Sequence, residues 1–149
     1  MSPSGASPPP SRSASPTATG PGRVLVAVYG LFAIAATGRS VLQLTTQASE
    51  APLPYALSAL AALVYVGATV GLAVDRPWAR SVAWVAVGVE AVGVLVVGTL
   101  SLADPVLFPD DTVWSGYGRG YGFLPLLLPA VGLWWLARTR PSSGTPTRR

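Results

Sequence analysis

The stretch SVAWVAVGVEAVGVLVVGTLSLA, Ser81 to Ala103, contains one charged residue, Glu90, in 23 positions. A hydrocarbon core of ~30 Å needs about 20 apolar residues in helical form, because lipid offers no partner to an unpaired backbone N–H or C=O. The run therefore predicts a transmembrane helix. Two further segments share its character: 24 consecutive uncharged residues lie between Glu50 and Asp75, and 18 lie between Arg119 and Arg138. Upstream, 15 uncharged residues separate Arg23 from Arg39, so a crossing of ordinary length there must include Arg39 and run to about Leu44. The expected spans are 24–44, 54–74, 80–102 and 120–137, within one domain over 23–138. The fold class expected is all-α, a polytopic membrane protein built as an antiparallel four-helix transmembrane bundle.

Composition supports this class. Half the residues are hydrophobic and 11% are charged, against roughly 25% charged in a soluble domain. The chain has neither Cys nor His, which removes disulfides, thiolate nucleophiles, zinc sites built on thiolate or imidazole, and imidazole acid–base pairs. All ten basic residues are Arg, a usage that fits a GC-rich genome. Residues 1–22, rich in Pro, Ser, Ala and Gly, and residues 139–149 are expected to be disordered tails.

The placement of charge says more than its sum of +4. Arg12, Arg23, Arg76, Arg80, Arg138, Arg140, Arg148 and Arg149 fall on one side of a four-pass topology, and Glu50, Asp104, Asp110 and Asp111 on the other. The positive-inside rule then puts both termini in the cytoplasm. No soluble basic face is formed, so nucleic acid is not an expected partner. The expected partners are the lipid bilayer and either another membrane protein or further copies of the chain. An alternative for the first segment is a cleaved signal peptide, with Val24 to Phe32 as its apolar region and Ala33-Ile34-Ala35 as a small-residue cleavage site.

Glu90 is the residue that raises a functional question. A carboxylate near the middle of a span costs a few kcal/mol on insertion scales, so it should face the bundle interior and find a partner or a proton. At ~1.5 Å per residue, Glu90 counted from Arg80 and Tyr65 counted from Val74 both lie roughly 14 to 15 Å deep. Arg39 lies about 8 Å higher on the same count and is expected to turn its guanidinium toward the headgroups rather than pair with Glu90. Glu90 reads either as a Tyr-bonded carboxyl that holds the helices together or as a proton or cation site.

The loop DPVLFPDDTVWSGYGRGYGFLP, Asp104 to Pro125, sets Trp114, Tyr117, Tyr121 and Phe123 among four glycines, with Asp110, Asp111 and Arg119 as charges. One reading is an aromatic belt at headgroup level, with Arg119 pairing locally with Asp110 or Asp111. The other is a recognition surface for a partner protein or a lipid headgroup. Two adjacent acids supply too few ligands for calcium, and no metal or cofactor is expected. Gly67 and Gly71 form a G-x-x-x-G pair, and Gly88, Gly93 and Gly98 offer further close-approach surfaces. Pro125 and Pro129 should bend the fourth span and free the carbonyls of Tyr121 or Pro125. Trp134, Trp135, Arg138 and Arg140 read as a membrane anchor.

The runs GRVLVAVYGLFAIAATGRS (Gly22 to Ser40), EAPLPYALSALAALVY (Glu50 to Tyr65), VEAVGVLVVGTLSLADPVLFPDDTVWSGYGRGYGFLPLLLP (Val89 to Pro129) and GLWWL (Gly132 to Leu136) together resemble a family of uncharacterised four-pass integral membrane proteins of actinobacteria. The resemblance implies an inner-membrane location and a four-helix arrangement, and it brings no activity, substrate or site. The function expected is non-enzymatic: a structural or accessory membrane protein that meets a partner. The alternative is a small proton-coupled transporter using Glu90.

Overall fold

The computed structural model describes residues 20–139, and every regular element among them is helical. α1 spans Gly20–Thr46, α2 Pro52–Ala73, α3 Pro77–Ala103 and α4 Leu124–Arg138, with a 3-10 turn at Ser115–Tyr121 ahead of α4. Proline opens each helix where its missing N–H is harmless: Pro21 in α1, Pro52 in α2, Pro77 in α3 and Pro125 in α4. α3 ends where the Asp104 carboxylate takes over as acceptor, receiving the backbone N–H of Val106 at 3.1 Å and of Leu107 at 3.3 Å, while Pro105 cannot continue the helix.

Three helices, α1 to α3, are long and apolar enough to cross a membrane, and a fourth span results if the 3-10 turn and α4 count as one element bent by 101°. This corrects the expected fourth span over 120–137. The helix begins at Leu124 and has 15 residues, about 22 Å at 1.5 Å per residue. The bend falls before it, at Gly122 and Phe123, both with left-handed backbone. Pro125 therefore stands in the first turn, where it frees no carbonyl, and Tyr121 is not in the helix. The expected tails fall on residues 1–19 and 140–149, outside the described residues, together with Arg12, Arg140, Arg148 and Arg149. Gly20 to Gly22, placed in the tail by sequence, instead form the first turn of α1.

α1 packs chiefly on α2, α2 on α3, and α3 on α4 and the 3-10 turn, whereas α1 and α4 meet only briefly. The exterior of the helices is apolar: Ile34 is 75% exposed, Leu63 71% and Val85 66%, while Glu90, Ser58 and the rings of Tyr29 and Tyr65 are fully buried. A surface of that kind would be far too large an apolar patch for water and is ordinary for a chain solvated by lipid. At the α2–α3 crossing the backbones nearly touch. A Cβ on Gly71 would lie 2.5 Å from the backbone nitrogen of Ala83, and one on Gly67 would meet the Ala86 methyl at 3.5 Å. Both expected interface glycines thus face α3, whereas Gly88 faces open space.

Candidate functional site

Glu90 sits on the buried face of α3 with no exposed surface. The Tyr29 hydroxyl of α1 donates to its Oε2 at 2.7 Å. The Tyr65 hydroxyl of α2 is close enough to interact with the same carboxyl without completing a hydrogen bond, so Oε1 is a buried acceptor with no partner in the protein. Tyr65 in turn accepts the indole N–H of Trp114 at 3.2 Å. The rings close the space around these polar atoms, with Tyr65 centred 6.2 Å from Tyr29 and 5.4 Å from Phe32. The result is a chain of polar side chains, Trp114 to Tyr65 to Glu90 to Tyr29, that joins α1, α2, α3 and the segment before α4.

Tyr65 meets Glu90 as its depth predicts. Tyr29 is the partner that the sequence reading did not single out; it stands on α1, which begins at Gly20, with Pro21 in the first turn marking a helix start one turn earlier than the hydropathy does.

Trp114 is a correction to the aromatic-belt reading. It is 1% exposed, and its six-membered ring packs against α3 where Gly93 has no side chain, so that a Cβ there would fall 2.7 Å from the indole. Tyr117 follows the same pattern five residues further along α3, resting on Gly98 with its hydroxyl 3.0 Å from the Thr99 hydroxyl. The intervening backbone turns left-handed at Gly116, Tyr117 and Gly118, with φ of 54°, 60° and 79°, a conformation that glycine adopts freely and tyrosine only under constraint. Non-helical backbone at this depth needs local partners. Thr112 and Ser115 supply them: Oγ of Ser115 accepts the N–H of Thr112 at 2.9 Å, Oγ1 of Thr112 accepts those of Trp114 and Ser115 at 3.1 Å, and Ser101 accepts that of Gly116 at 2.9 Å.

Arg39 does not pair with Glu90, as expected. It turns onto the loop, forming an ion pair with Asp110 at 3.8 Å, donating to the backbone carbonyl of Asp111, and donating to the Tyr121 hydroxyl at 3.3 Å. Gln43, one turn further along α1, donates to the second Asp110 oxygen at 3.2 Å, and Tyr55 of α2 lies beside the same carboxylate. Asp110 is thus claimed by α1, and Arg119, expected to pair with it or with Asp111, is exposed and forms no ion pair among the described residues. The Asp111 side chain is also exposed. At the opposite end, Arg138 lies over the Trp134 ring, 4.7 Å from its centroid, and Arg80 donates to the Leu136 carbonyl.

Among the described residues no cluster of metal-ligating side chains occurs. Chemically the arrangement offers one buried carboxyl beside two phenolic hydroxyls. Replacing Glu90 with Leu should strand the Tyr29 hydroxyl as a buried, unpaired donor and cost about 1–3 kcal/mol, whereas Glu90→Gln keeps an acceptor oxygen and should cost less than half as much. Thermal unfolding of the two variants in detergent checks this, and equal losses would show that the Tyr29 contact contributes nothing. Comparison with protein-family models, with curated proteins and with solved structures found no match to this chain.

Proposed function

We propose that this chain is a non-enzymatic integral membrane protein with a structural or accessory role, in which the Glu90 cluster acts as a polar knot between helices. The observation that carries this reading is the closure around Glu90. The carboxyl is fully buried, and an apolar groove between α2 and α3 is lined by residues such as Leu63, Val82 and Val85 and not by Glu90. A partner-binding role is supported by the way Arg39 ties down the loop and leaves Val106, 89% exposed, with Leu107 and Phe123 pointing outward. An antiparallel bundle in the inner membrane with cytoplasmic termini is supported by Arg23, Arg76, Arg80 and Arg138 at one end of the helices and Asp104, Asp110 and Asp111 at the other, and by the resemblance to actinobacterial four-pass proteins. Further copies of the chain are an alternative partner.

The second reading, a proton-coupled transporter, is favoured by one feature, the unpartnered Oε1 of the buried Glu90 carboxyl, since an ionisable group inside a span is a common mark of a proton pathway. One experiment separates the two. In liposomes carrying a pH gradient and a potassium potential, wild type and Glu90→Gln are expected to dissipate the gradient no faster than protein-free vesicles. A flux present in wild type and abolished in Glu90→Gln would replace the structural reading with the transport one.

A further inference from the structure

The segment 110–121 is attached to the helices in an unusual way. Its own backbone hydrogen bonds are internal or close onto the start of α4, as from Ser115 to Thr112 and from Phe123 to Gly118, and none among the described residues joins it to the backbone of α1, α2 or α3. Side chains alone hold it there. One of those attachments is buried, Trp114 to Tyr65, while Tyr117 bonds Thr99 at an exposed position and the Gly116 N–H donates to Ser101. The rest lie at the two ends of the segment: Arg39 grips Asp110 and the Asp111 carbonyl where it begins and Tyr121 where it ends, Gln43 adds a bond to Asp110, Tyr55 lies beside that carboxylate, and Phe32 packs against the Tyr121 ring at 5.9 Å. Such a unit can leave without unwinding a helix, because no helical hydrogen bond is broken when it does.

What lies beneath it is the polar cluster. The Trp114 indole covers Gly93, one turn above Glu90 on α3, and its N–H is bonded to the Tyr65 hydroxyl. Tyr117 within the segment and Phe123 just beyond it hold left-handed backbone at φ of 60° and 61°. Each costs of order 1 kcal/mol and persists only while the surroundings impose it. Arg39 is the one side chain that bridges both ends of the loop, and its Nε remains a buried donor without a partner, so the clasp is less than fully satisfied.

We propose that residues 110–121 form a plug, latched at its two ends by Arg39, that seals Glu90 and Tyr65 from the side of the protein bearing Asp110 and opens as a unit to admit water from that side only. This holds whether Glu90 carries protons or only joins helices, since it concerns access and not transfer.

The natural absence of cysteine makes the test clean. Val94, fully buried one turn from Glu90 toward the plug, is replaced by Cys and challenged with an impermeant thiosulfonate in proteoliposomes. Val106→Cys and Arg76→Cys serve as markers for the two sides. With the plug intact, Val94→Cys should react slowly from both sides. Adding Arg39→Gln should speed the reaction at least tenfold from the Val106 side and leave it unchanged from the Arg76 side. No acceleration, acceleration from the Arg76 side, or a thiol that already reacts as fast as the one at position 106 would overturn the proposal. Should the Arg39 variant fail to fold, hydrogen exchange of the unmodified protein in nanodiscs decides. The buried amides of Trp114, Ser115 and Gly116 should exchange at one common rate, faster than that of Val94, and unrelated rates or protection equal to that of Val94 would refute a unit opening.

Discussion

Gly71→Val should yield little or no folded protein from membranes, whereas Gly67→Ala and Gly88→Ala should behave as wild type. The reason is distance to backbone. A Cβ at position 71 would stand 2.5 Å from the Ala83 nitrogen and 2.8 Å from both the Ala79 carbonyl oxygen and the Ala83 Cα. No rotamer relieves a clash with main chain, so α2 and α3 must separate along their length. Helices in lipid associate through close packing and not through the exclusion of water, so lost contact is not repaid elsewhere. The expected penalty is about 3 kcal/mol or more, at the upper end for overpacking. At position 67 the nearest atom is a methyl at 3.5 Å, and at 88 nothing lies within 4 Å. Yield of monodisperse protein after detergent extraction, followed by thermal unfolding, ranks the three. A folded Gly71→Val variant of wild-type stability would show that the helices do not cross there.

Trp114→Ala should be the most damaging side-chain deletion in the segment before α4. Truncating a buried aromatic costs about 3–5 kcal/mol in water-soluble cores, as lost transfer energy plus the cavity left behind. Here the figure should fall near the lower end, about 3 kcal/mol, because the unfolded reference in lipid already shields the ring from water and only packing and the cavity are lost. The Tyr65 hydroxyl would also lose its donor. Trp114→Phe keeps an aromatic ring but loses the indole N–H and the outer part of the benzo ring that lies against Gly93, an expected loss of about 1–2 kcal/mol. Thermal unfolding of the two variants checks the ratio. If Phe and Ala were equally destabilising, the hydrogen bond to Tyr65 would carry the interaction and the seating on Gly93 would count for nothing.

The two substitutions explain each other's positions. Gly71 lets α2 approach α3 closely, which brings Tyr65 beside the Glu90 carboxyl, and Gly93 leaves the hollow on α3 that receives Trp114. The small residues are therefore the geometric condition for the polar chain, and the polar chain links the segment before α4 to the first three helices. α4 itself meets this centre through Gly132, where a Cβ would stand 3.2 Å from the Tyr29 hydroxyl and 3.0 Å from Val87.

The helical class, the three long apolar segments, the depth shared by Tyr65 and Glu90 and the interfacial role of Gly67 and Gly71 were all legible in the chain, because each follows from a local quantity: hydropathy over a window, rise per residue, or the absence of a Cβ. Tyr29 as the donor to Glu90, Arg39 as the clasp on Asp110 and Tyr121, and Trp114 as a buried plug rather than a headgroup anchor were decided only by tertiary structure. Their partners lie 61, 71 or 82, and 49 residues away, and an aromatic residue flanked by glycines has the same composition whether its ring turns out to lipid or in to a hollow. Hydropathy sets which segments leave water, while the choice between those two directions depends on where a neighbouring helix lacks a side chain.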